Sequence, residues 1–391
     1  MDVLKFHWRL LIAALAVSGL LAWDLAQRPV SPAEAATVWP DTTGVAQPMV
    51  LTKVDQGPVP MPAQSAAAHA STLLVMPADS AARLRIFWFS GERESGPNVQ
   101  IATSEWRRAD QAWSPPQWAV NRHVLGAQLG YGVRRLGNPV AWLDADARIH
   151  LFVVATGAGG WAASRIVHLR QTQASRAAGA VEFEPMPALP VSWLWNTSYL
   201  VRSSPLPLAD GGMVLPVHFE LGIKHPAALR FDRYGGLMGI SRISGRGYAL
   251  QPTLLAQGPR EWTALMRDER AQGRVLAART QDGGRSWQDL PDLSLINPDS
   301  SVAGLGLAPG FGVLVHNSSP GSRAVMDLSV SGNGQDWRLL NRMAEGAPDD
   351  EFSYPALAWE QGNLWVSYTV DRKTISWQRF STNGADKAVT P

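Results

Sequence analysis

From His69 onward the chain repeats one hydrophobic pattern: a short apolar run, a turn holding Asp, Gly or Pro, then a second apolar run. Six copies stand out, HASTLLVMPADSAARLRIFWFSG from 69, NPVAWLDADARIHLFVVATG from 138, SSPLPLADGGMVLPVHFE from 203, QPTLLAQGPREWTALMRD from 251, SSVAGLGLAPGFGVLVHN from 300 and SYPALAWEQGNLWVSYTV from 353. Their starts lie 69, 65, 48, 49 and 53 residues apart. Further apolar runs such as VQIATSEW, ASRIVHLRQ, GRVLAARTQ and TISWQRFS fall between them, so each period offers about four strands, the content of one propeller blade. Long helical patterns are absent after residue 36. A two-sheet sandwich does not explain a period near 50 residues, whereas an all-β, six-bladed β-propeller over 69–391 does, and ring closure leaves no long sheet edge exposed. Residues 37–68, rich in Pro, Ala and Gln, read as a leader segment with little regular structure.

The N-terminus follows another rule. Lys5 and Arg9 precede LLIAALAVSGLLAW, a 14-residue apolar run from Leu10 to Trp23, and an A-x-A site follows in PAEAA. The run suits a signal-peptide core better than the roughly 20 residues a membrane span needs. The long gap from Trp23 to Ala35 keeps an uncleaved anchor open. Residues 1–36 are therefore expected to be a signal peptide or signal anchor, with anchoring to an inner membrane through residues 10–23, and the remainder periplasmic or secreted. The 391 residues contain no cysteine, which excludes thiol catalysis, disulfides and a cysteine zinc site. A net charge of +2 without any Lys/Arg-rich run disfavours a nucleic-acid partner. No P-loop, G-x-S-x-G or H-E-x-x-H is present, GLGLAPG (304–310) lacks dinucleotide-loop spacing, and the adjacent acids of DDE (349–351) cannot easily face one ion. Neither a cofactor nor a metal is expected.

TQDGGRSW (280–287) places Thr280, Asp282, Gly284 and Trp287 in the pattern S/T-x-D-x-G-x-T/S-W. Physically, Asp282 can accept N–H groups of its own turn, the glycines can take positive φ, and Trp287 can cover the turn. SGNGQDW (331–337) is a degenerate second copy, and DQAWSPP keeps only the tail at Trp113. With HAST, FSGERES, GNPV, LQPTL, MRDER, NPDSS, HNSS, EFSYPAL and SYTVDRKTI, the chain resembles the bacterial sialidase-like family built of BNR/Asp-box repeats, often labelled predicted neuraminidases, from His69 to about Phe380. The resemblance implies a polar site where loops of successive blades converge on the axis, with the Asp-box turns as builders away from substrate.

In true sialidases three arginines grip the substrate carboxylate, a tyrosine paired with a glutamate attacks the anomeric carbon, and a carboxylic acid protonates the leaving group. A neutral phenol approaches an anionic sugar without repulsion but needs a neighbouring base, and the planar guanidinium fork suits a carboxylate. The resemblance implies Tyr354 as nucleophile, Arg267 as the second arginine, Arg372 and Arg323 as further grips, and Glu94 as the acid beside His69. Asp268 and Glu351 are alternative carboxyls, although strand alternation lets only one of Arg267 and Asp268 face the site. Asn138, Asn297, Asp299 and Asn317 are placed like ligands of sugar hydroxyls, or like turn formers. The chain departs from sialidases in the first blade: the Phe-Arg-Ile-Pro motif is replaced by HAST, Asn98 stands in an acidic position, and Arg93 is the candidate substitute for the missing arginine. Trp193 and Trp195 are free to be binding-face residues. The expected function is a sialidase-like glycoside hydrolase on an acidic glycan or polysaccharide, with a binding-only propeller or a polysaccharide lyase as alternatives.

Overall fold

The computed structural model describes residues 2–28, 30, 36–42, 49–94, 96, 98–174, 179–192, 196–270 and 273–382. Six antiparallel sheets follow one another around an axis. Blade one runs Ala67–Val75, Ala82–Gly91, Gln100–Arg107 and Ala112–Trp113, with Gln117–Val120 added at its edge. Blade two comprises Arg135–Leu143, Ile149–Thr156, Arg165–Gln171 and Phe183–Pro185. Blade three comprises Tyr199–Val201 with Leu206–Pro207, then Met213–Phe219, His225–Phe231 and Leu237–Arg242. Blade four comprises Ala249–Ala256, Trp262–Asp268, Leu276–Thr280 and Gln288–Asp289. Blade five comprises Ala303–Ala308, Phe311–Asn317, Val325–Ser331 and Arg338–Glu345. Blade six comprises Phe352–Glu360, Asn363–Val370 and Thr374–Ser381, and its outer strand is Thr52–Pro58.

That last strand corrects the expectation of an irregular leader. TKVDQGP carries little apolar pattern because none of its residues is buried, yet its backbone pairs antiparallel with Thr374–Ser381 and closes the ring. The seam is reinforced by four tryptophans: Trp106 lies 5.0 Å from Trp365, 4.9 Å from Trp377 and 5.5 Å from Trp113, in edge-to-face contacts. Trp113, a relic of an Asp box, thus serves the joint between blades one and six. A second departure is the two-turn helix Arg122–Leu129, capped by Asn121, whose side chain accepts from His123 N at 2.9 Å, and ended by left-handed Gly130. Eight residues are too few for an apolar period to stand out in the sequence.

The innermost strands share a feature that periodicity does not reveal. One non-glycine residue per blade has positive φ where that strand begins: Ala70 (53°), Asn138 (43°), Ser198 (68°), Gln251 (47°), Asp299 (52°) and Tyr354 (53°). In blades one, two, four and six the strand register shifts there, between His69 and Thr72, Gly137 and Val140, Leu250 and Thr253, and Ser353 and Ala356. These are bulges, each with an unpaired residue. Pro139, Pro252 and Pro355 follow three of them, and a proline brings no N–H to leave unsatisfied.

Strand alternation defines two faces. The starts of the inner strands and the turns between second and third strands share one face, and the third-to-fourth turns lie on the other. Both Asp boxes are third-to-fourth turns. Asp282 Oδ1 accepts from Ser286 N at 2.9 Å and from Thr280 Oγ1 at 2.8 Å, and Trp287 Nε1 donates to Gly284 O at 3.1 Å. At Gly284 (φ 85°) a Cβ would sit 2.7 Å from Trp262. In the second box Asn333 Oδ1 accepts from Asp336 N at 2.8 Å, so the amide oxygen does the carboxylate's work, and Trp337 Nε1 donates to Gly334 O at 3.2 Å.

The N-terminal helix Asp2–Gln27 is longer than the apolar run suggests. Its stretch His7–Gln27 has 21 residues and mean hydropathy 1.7, enough by length and composition to cross a membrane. Asp282→Ala is expected to lower stability by about 1–3 kcal/mol, since it strands turn donors, while leaving ligand binding at the axis unchanged. Urea unfolding together with a binding isotherm checks both halves; weakened binding at unchanged stability would contradict the assignment.

Candidate active site

A cavity of about 190 Å³ opens on the face formed by the inner-strand starts, lined by His69, Phe89, Glu94, Leu136, Asn138, Leu200, Glu220, Gln251, Arg267 and Tyr354. Asn138, Gln251 and Tyr354 are three of the left-handed residues, and His69 adjoins a fourth, Ala70. The bulges therefore place polar side chains around the cavity from blades one, two, four and six. Glu94 follows the second strand of blade one, Glu220 follows that of blade three, and Arg267 ends that of blade four.

Tyr354 is held on several sides. Its hydroxyl accepts from Gln251 Nε2 at 3.3 Å, the Arg202 guanidinium lies 4.8 Å from its ring centroid, and the His69 ring lies 4.2 Å away. Arg202 is buried and donates to Pro355 O at 2.7 Å. Burial pulls its guanidinium down to about 10, offset in part by Tyr354. Arg267 donates from Nε to Asp299 Oδ1 at 2.6 Å and from Nη1 to Gln251 Oε1 at 3.2 Å. Burial opposes its charge, but the bond to Asp299 and the proximity of Tyr354, Asp299 and Glu220 raise its pKa above the ordinary value.

Beside the cavity, Glu351 ties two further arginines together. It accepts from Arg323 Nη1 at 2.9 Å, from Arg372 Nε at 2.8 Å and from Ser353 Oγ at 2.7 Å. Burial works against its charge, yet the Arg372 and Ser353 bonds and the Arg323 charge outweigh it and hold the carboxyl at about 2. A group so held stays ionised at neutral pH and serves as a clamp rather than a proton donor. Arg372, left-handed at φ 56°, also pairs with Glu94, and Arg323 donates to Asp299 O at 2.7 Å.

Of the residues singled out from sequence, His69, Glu94, Asn138, Arg267 and Tyr354 line the cavity, and Arg323, Glu351 and Arg372 form the network beside it. Asn297 and Asn317 are fully buried and do not line the cavity. Asn297 bonds Ser300 N and O, and Asn317 Nδ2 donates to Val325 O at 3.0 Å and Phe352 O at 2.9 Å, so both hold backbone. Asp268 is buried away from the cavity, accepting from the Arg270 guanidinium, as alternation with Arg267 requires. Asp299 does not line the cavity and is joined to it through the bond from Arg267. Trp193 and Trp195 lie outside the described residues.

Three positions at or beside the cavity escaped the sequence reading. Gln251 stands within LQPTL, where its left-handed backbone rather than any motif aims it. Arg202 becomes significant only once blade three packs beneath Tyr354. Glu220 accepts from His218 Nε2, at 3.0 Å with His218 as the donor. Burial raises its pKa, but the His218 bond, the His218 charge, Lys224 and Arg267 lower it further, for a net downward shift. The signal available for Glu220 was its place just after a second strand, shared with Glu94.

A six-bladed ring with a polar axial cavity and Asp-box turns on the opposite face is a sialidase-type propeller. The chain matches the BNR repeat-like domain over residues 82–378 and belongs to the sialidase-like BNR-repeat family. It is similar in structure to the Hadza microbial sialidase Hz136, with TM-score 0.64 and 16% identity over 83% of this chain and 67% of that one. A protein of unknown function from Dyadobacter fermentans DSM 18053 aligns with TM-score 0.64 and 12% identity over 85% of this chain and 99% of that one. Trypanosoma rangeli sialidase aligns with TM-score 0.61 and 11% identity over 90% of this chain, which spans 58% of the trypanosomal protein. At these identities the likeness is one of fold. No curated protein sequence matches the chain.

The burial of neutral histidines sets a pH limit on the fold. Burial, with Arg372 next in weight, lowers His69 from 6.5 to about 3, and burial beside His150 lowers His168 to about 3. A folded pKa below the unfolded value means the stabilisation is complete above pH 6.5 and is lost as pH falls from 6.5 toward 3. Glu351 adds a loss from its ordinary 4.5 downward toward 2. The unfolding free energy from urea titration is expected to fall between pH 7 and pH 4.5, by up to about 1.4 kcal/mol per pH unit for each histidine, and His69→Phe should flatten that slope. A pH-independent free energy would contradict the burial of neutral rings.

Proposed function

We propose that the protein is an extracytoplasmic glycoside hydrolase that removes a terminal acidic sugar from a glycan. The observation that carries this reading is the convergence on one cavity of Tyr354, Arg267 and the two carboxyls Glu94 and Glu220, from four different blades. The cavity is small, with room for a terminal ring rather than a chain passing through.

The roles follow from the partners. Tyr354 attacks the anomeric carbon, and Glu220, oriented by His218, takes its proton, since Glu351 is committed to two arginines. Arg202 beneath the ring and Arg267 beside it stabilise the charge that develops on the phenol oxygen. Arg267 keeps three of its five N–H donors after the two bonds to Asp299 and Gln251, and these receive the sugar carboxylate. Glu94, at the cavity wall and half-exposed, is the remaining lining carboxyl and protonates the leaving oxygen. Water then displaces Tyr354 from the anomeric carbon, giving its proton to Glu94 while Glu220 returns a proton to the phenol oxygen. Asn138 and Gln251 supply hydrogen bonds to hydroxyls. The N-terminal apolar helix is compatible with export to the periplasm or beyond.

Tyr354→Phe and Glu220→Gln are each expected to cut kcat by about 10²–10⁴-fold with little change in KM. Release of reducing ends from acidic glycans measures this, with unsaturated products watched in parallel. Full activity in both variants would sink the assigned roles. Binding without turnover in the unaltered protein would identify a lectin-like propeller, and unsaturated ends a lyase.

A further inference from the structure

The N-terminal helix is fastened to the propeller on the face that carries the cavity. Asp24, the one buried residue among the described side chains of the helix, is 3% exposed. It accepts from Ser192 Oγ at 3.1 Å and from Arg28 Nη2 at 2.8 Å, and Arg28 Nη1 reaches the Tyr199 hydroxyl at 3.5 Å. Ser192 lies in the connection from blade two to blade three, and Tyr199 opens the inner strand of blade three beside left-handed Ser198 and cavity-lining Leu200. Both belong to the face of the cavity mouth. The chain beyond the helix is tied down as well: Val30 bridges Ile240, Ala209 N donates to Ala36 O at 2.6 Å, and Thr37 N donates to Pro259 O at 2.8 Å. A segment discarded on export has no need of a buried carboxylate matched to the folded domain. Among the described residues the apolar side chains of the helix are exposed, Leu15 and Leu25 at 64%, and none enters a buried core cluster.

A second feature on the same face points the same way. The turn following Glu220 presents Leu221 at 38% exposure and Ile223 at 75%, the latter among the most exposed large apolar side chains of the chain. The turn joins the second and third strands of blade three and follows cavity-lining Glu220, so these apolar tips belong to the cavity's face of the same blade that receives the helix.

We infer that the helix is retained as a membrane anchor, that the cavity mouth with Leu221 and Ile223 lies against the bilayer surface, and that the glycan taken is one carried by a membrane lipid. The substrate clause rests on the glycosidase reading; the orientation does not. A tether on the working face brings the mouth within reach of headgroups at the surface and turns it from polymers in bulk solvent. The basic residues Lys5 and Arg9 ahead of the apolar stretch keep the N-terminus on the inner side, leaving the propeller outside.

The absence of cysteine makes the test direct, because an introduced thiol is the single labelling site. Full-length Ile223→Cys and Leu339→Cys, each carrying an environment-sensitive fluorophore, are reconstituted in vesicles of phosphatidylethanolamine and phosphatidylglycerol. Leu339 is 54% exposed at the start of the outer strand of blade five, next to an Asp box on the opposite face. The label at 223 should shift to the blue and be quenched several-fold by bromine-bearing lipids, and the label at 339 should show neither effect. Equal, water-like emission from both sites overturns the orientation, and loss of residues 1–36 from the membrane-extracted protein, read by intact mass, overturns the retained anchor. For the substrate clause, an acidic glycolipid in these vesicles should turn over at least ten-fold faster than its water-soluble headgroup oligosaccharide. Equal rates overturn that clause, whereas no turnover of either carrier, with the label at 223 still quenched, counts against the glycosidase reading and leaves the orientation standing.

Discussion

The site depends on a backbone constraint repeated six times. A residue other than glycine in the left-handed region costs roughly 1–2 kcal/mol, and this chain accepts that at one position in every blade, where the inner strand begins. The cost is tolerated because neighbouring blades over-determine the geometry. Ala70 N donates to Thr369 Oγ1 at 3.1 Å, and Gly304 N donates to Thr253 Oγ1 at 3.0 Å, each across a blade boundary. The bulge re-aims the side chain, so that Asn138, Gln251 and Tyr354 point to the axis while the residues after them resume a buried strand. Without it, alternation would deliver these side chains into the packing between blades.

Charge is the second organising quantity. Four guanidiniums (Arg202, Arg267, Arg323, Arg372) and four carboxylates (Glu94, Glu220, Asp299, Glu351) gather at and beside the cavity, so the two signs balance. Each arginine except Arg202 is paired among the described residues. Removing one partner from such a network strands the other in a partly desolvated place, which costs more than the pair contributes. The balance also changes what a ligand meets. On the proposed function, an arriving carboxylate meets the donors of Arg267 that the pairing leaves over, not an unpaired cluster of positive charge. A site of this kind discriminates by geometry more than by bulk electrostatic attraction.

Much of the architecture was legible because propeller blades advertise themselves through spacing. The apolar pairs near every 50 residues, the intact box at 280–287 and its relics give the ring and the face on which the boxes lie. Thr52–Pro58 was not legible, since an outermost strand with no buried residue is held by its backbone pairing and carries no apolar alternation. At the site, Tyr354, Arg267, Glu94, His69 and Asn138 could be named through the resemblance, whereas Arg202 is defined by its contact with Pro355, 153 residues away, Gln251 by a left-handed backbone and Glu220 by its place after a second strand. Asn297 and Asn317 show the converse: their amides look like ligands in sequence, yet in the fold each satisfies buried backbone. Composition alone cannot distinguish an amide offered to a ligand from one consumed by a turn.

The cavity straddles the seam of the ring, and this links stability to function. Blade six supplies Tyr354 and Arg372, blade one supplies His69 and Glu94, and the pair Arg372–Glu94 crosses the joint. These two blades are held together by the edge-to-face tryptophans and by a strand, Thr52–Pro58, that comes from the N-terminal side of blade one to complete blade six. A strand borrowed across the closure makes opening of the ring cooperative, because separating the two blades must break either its pairing with Thr374–Ser381 or its continuity with blade one. The same strand leads back along the chain to the segment strapped over blade three and to the N-terminal helix. Closure of the ring therefore rests on a strand that precedes blade one in the chain, and the Arg372–Glu94 pair sets the edge of the cavity at the joint that this strand completes.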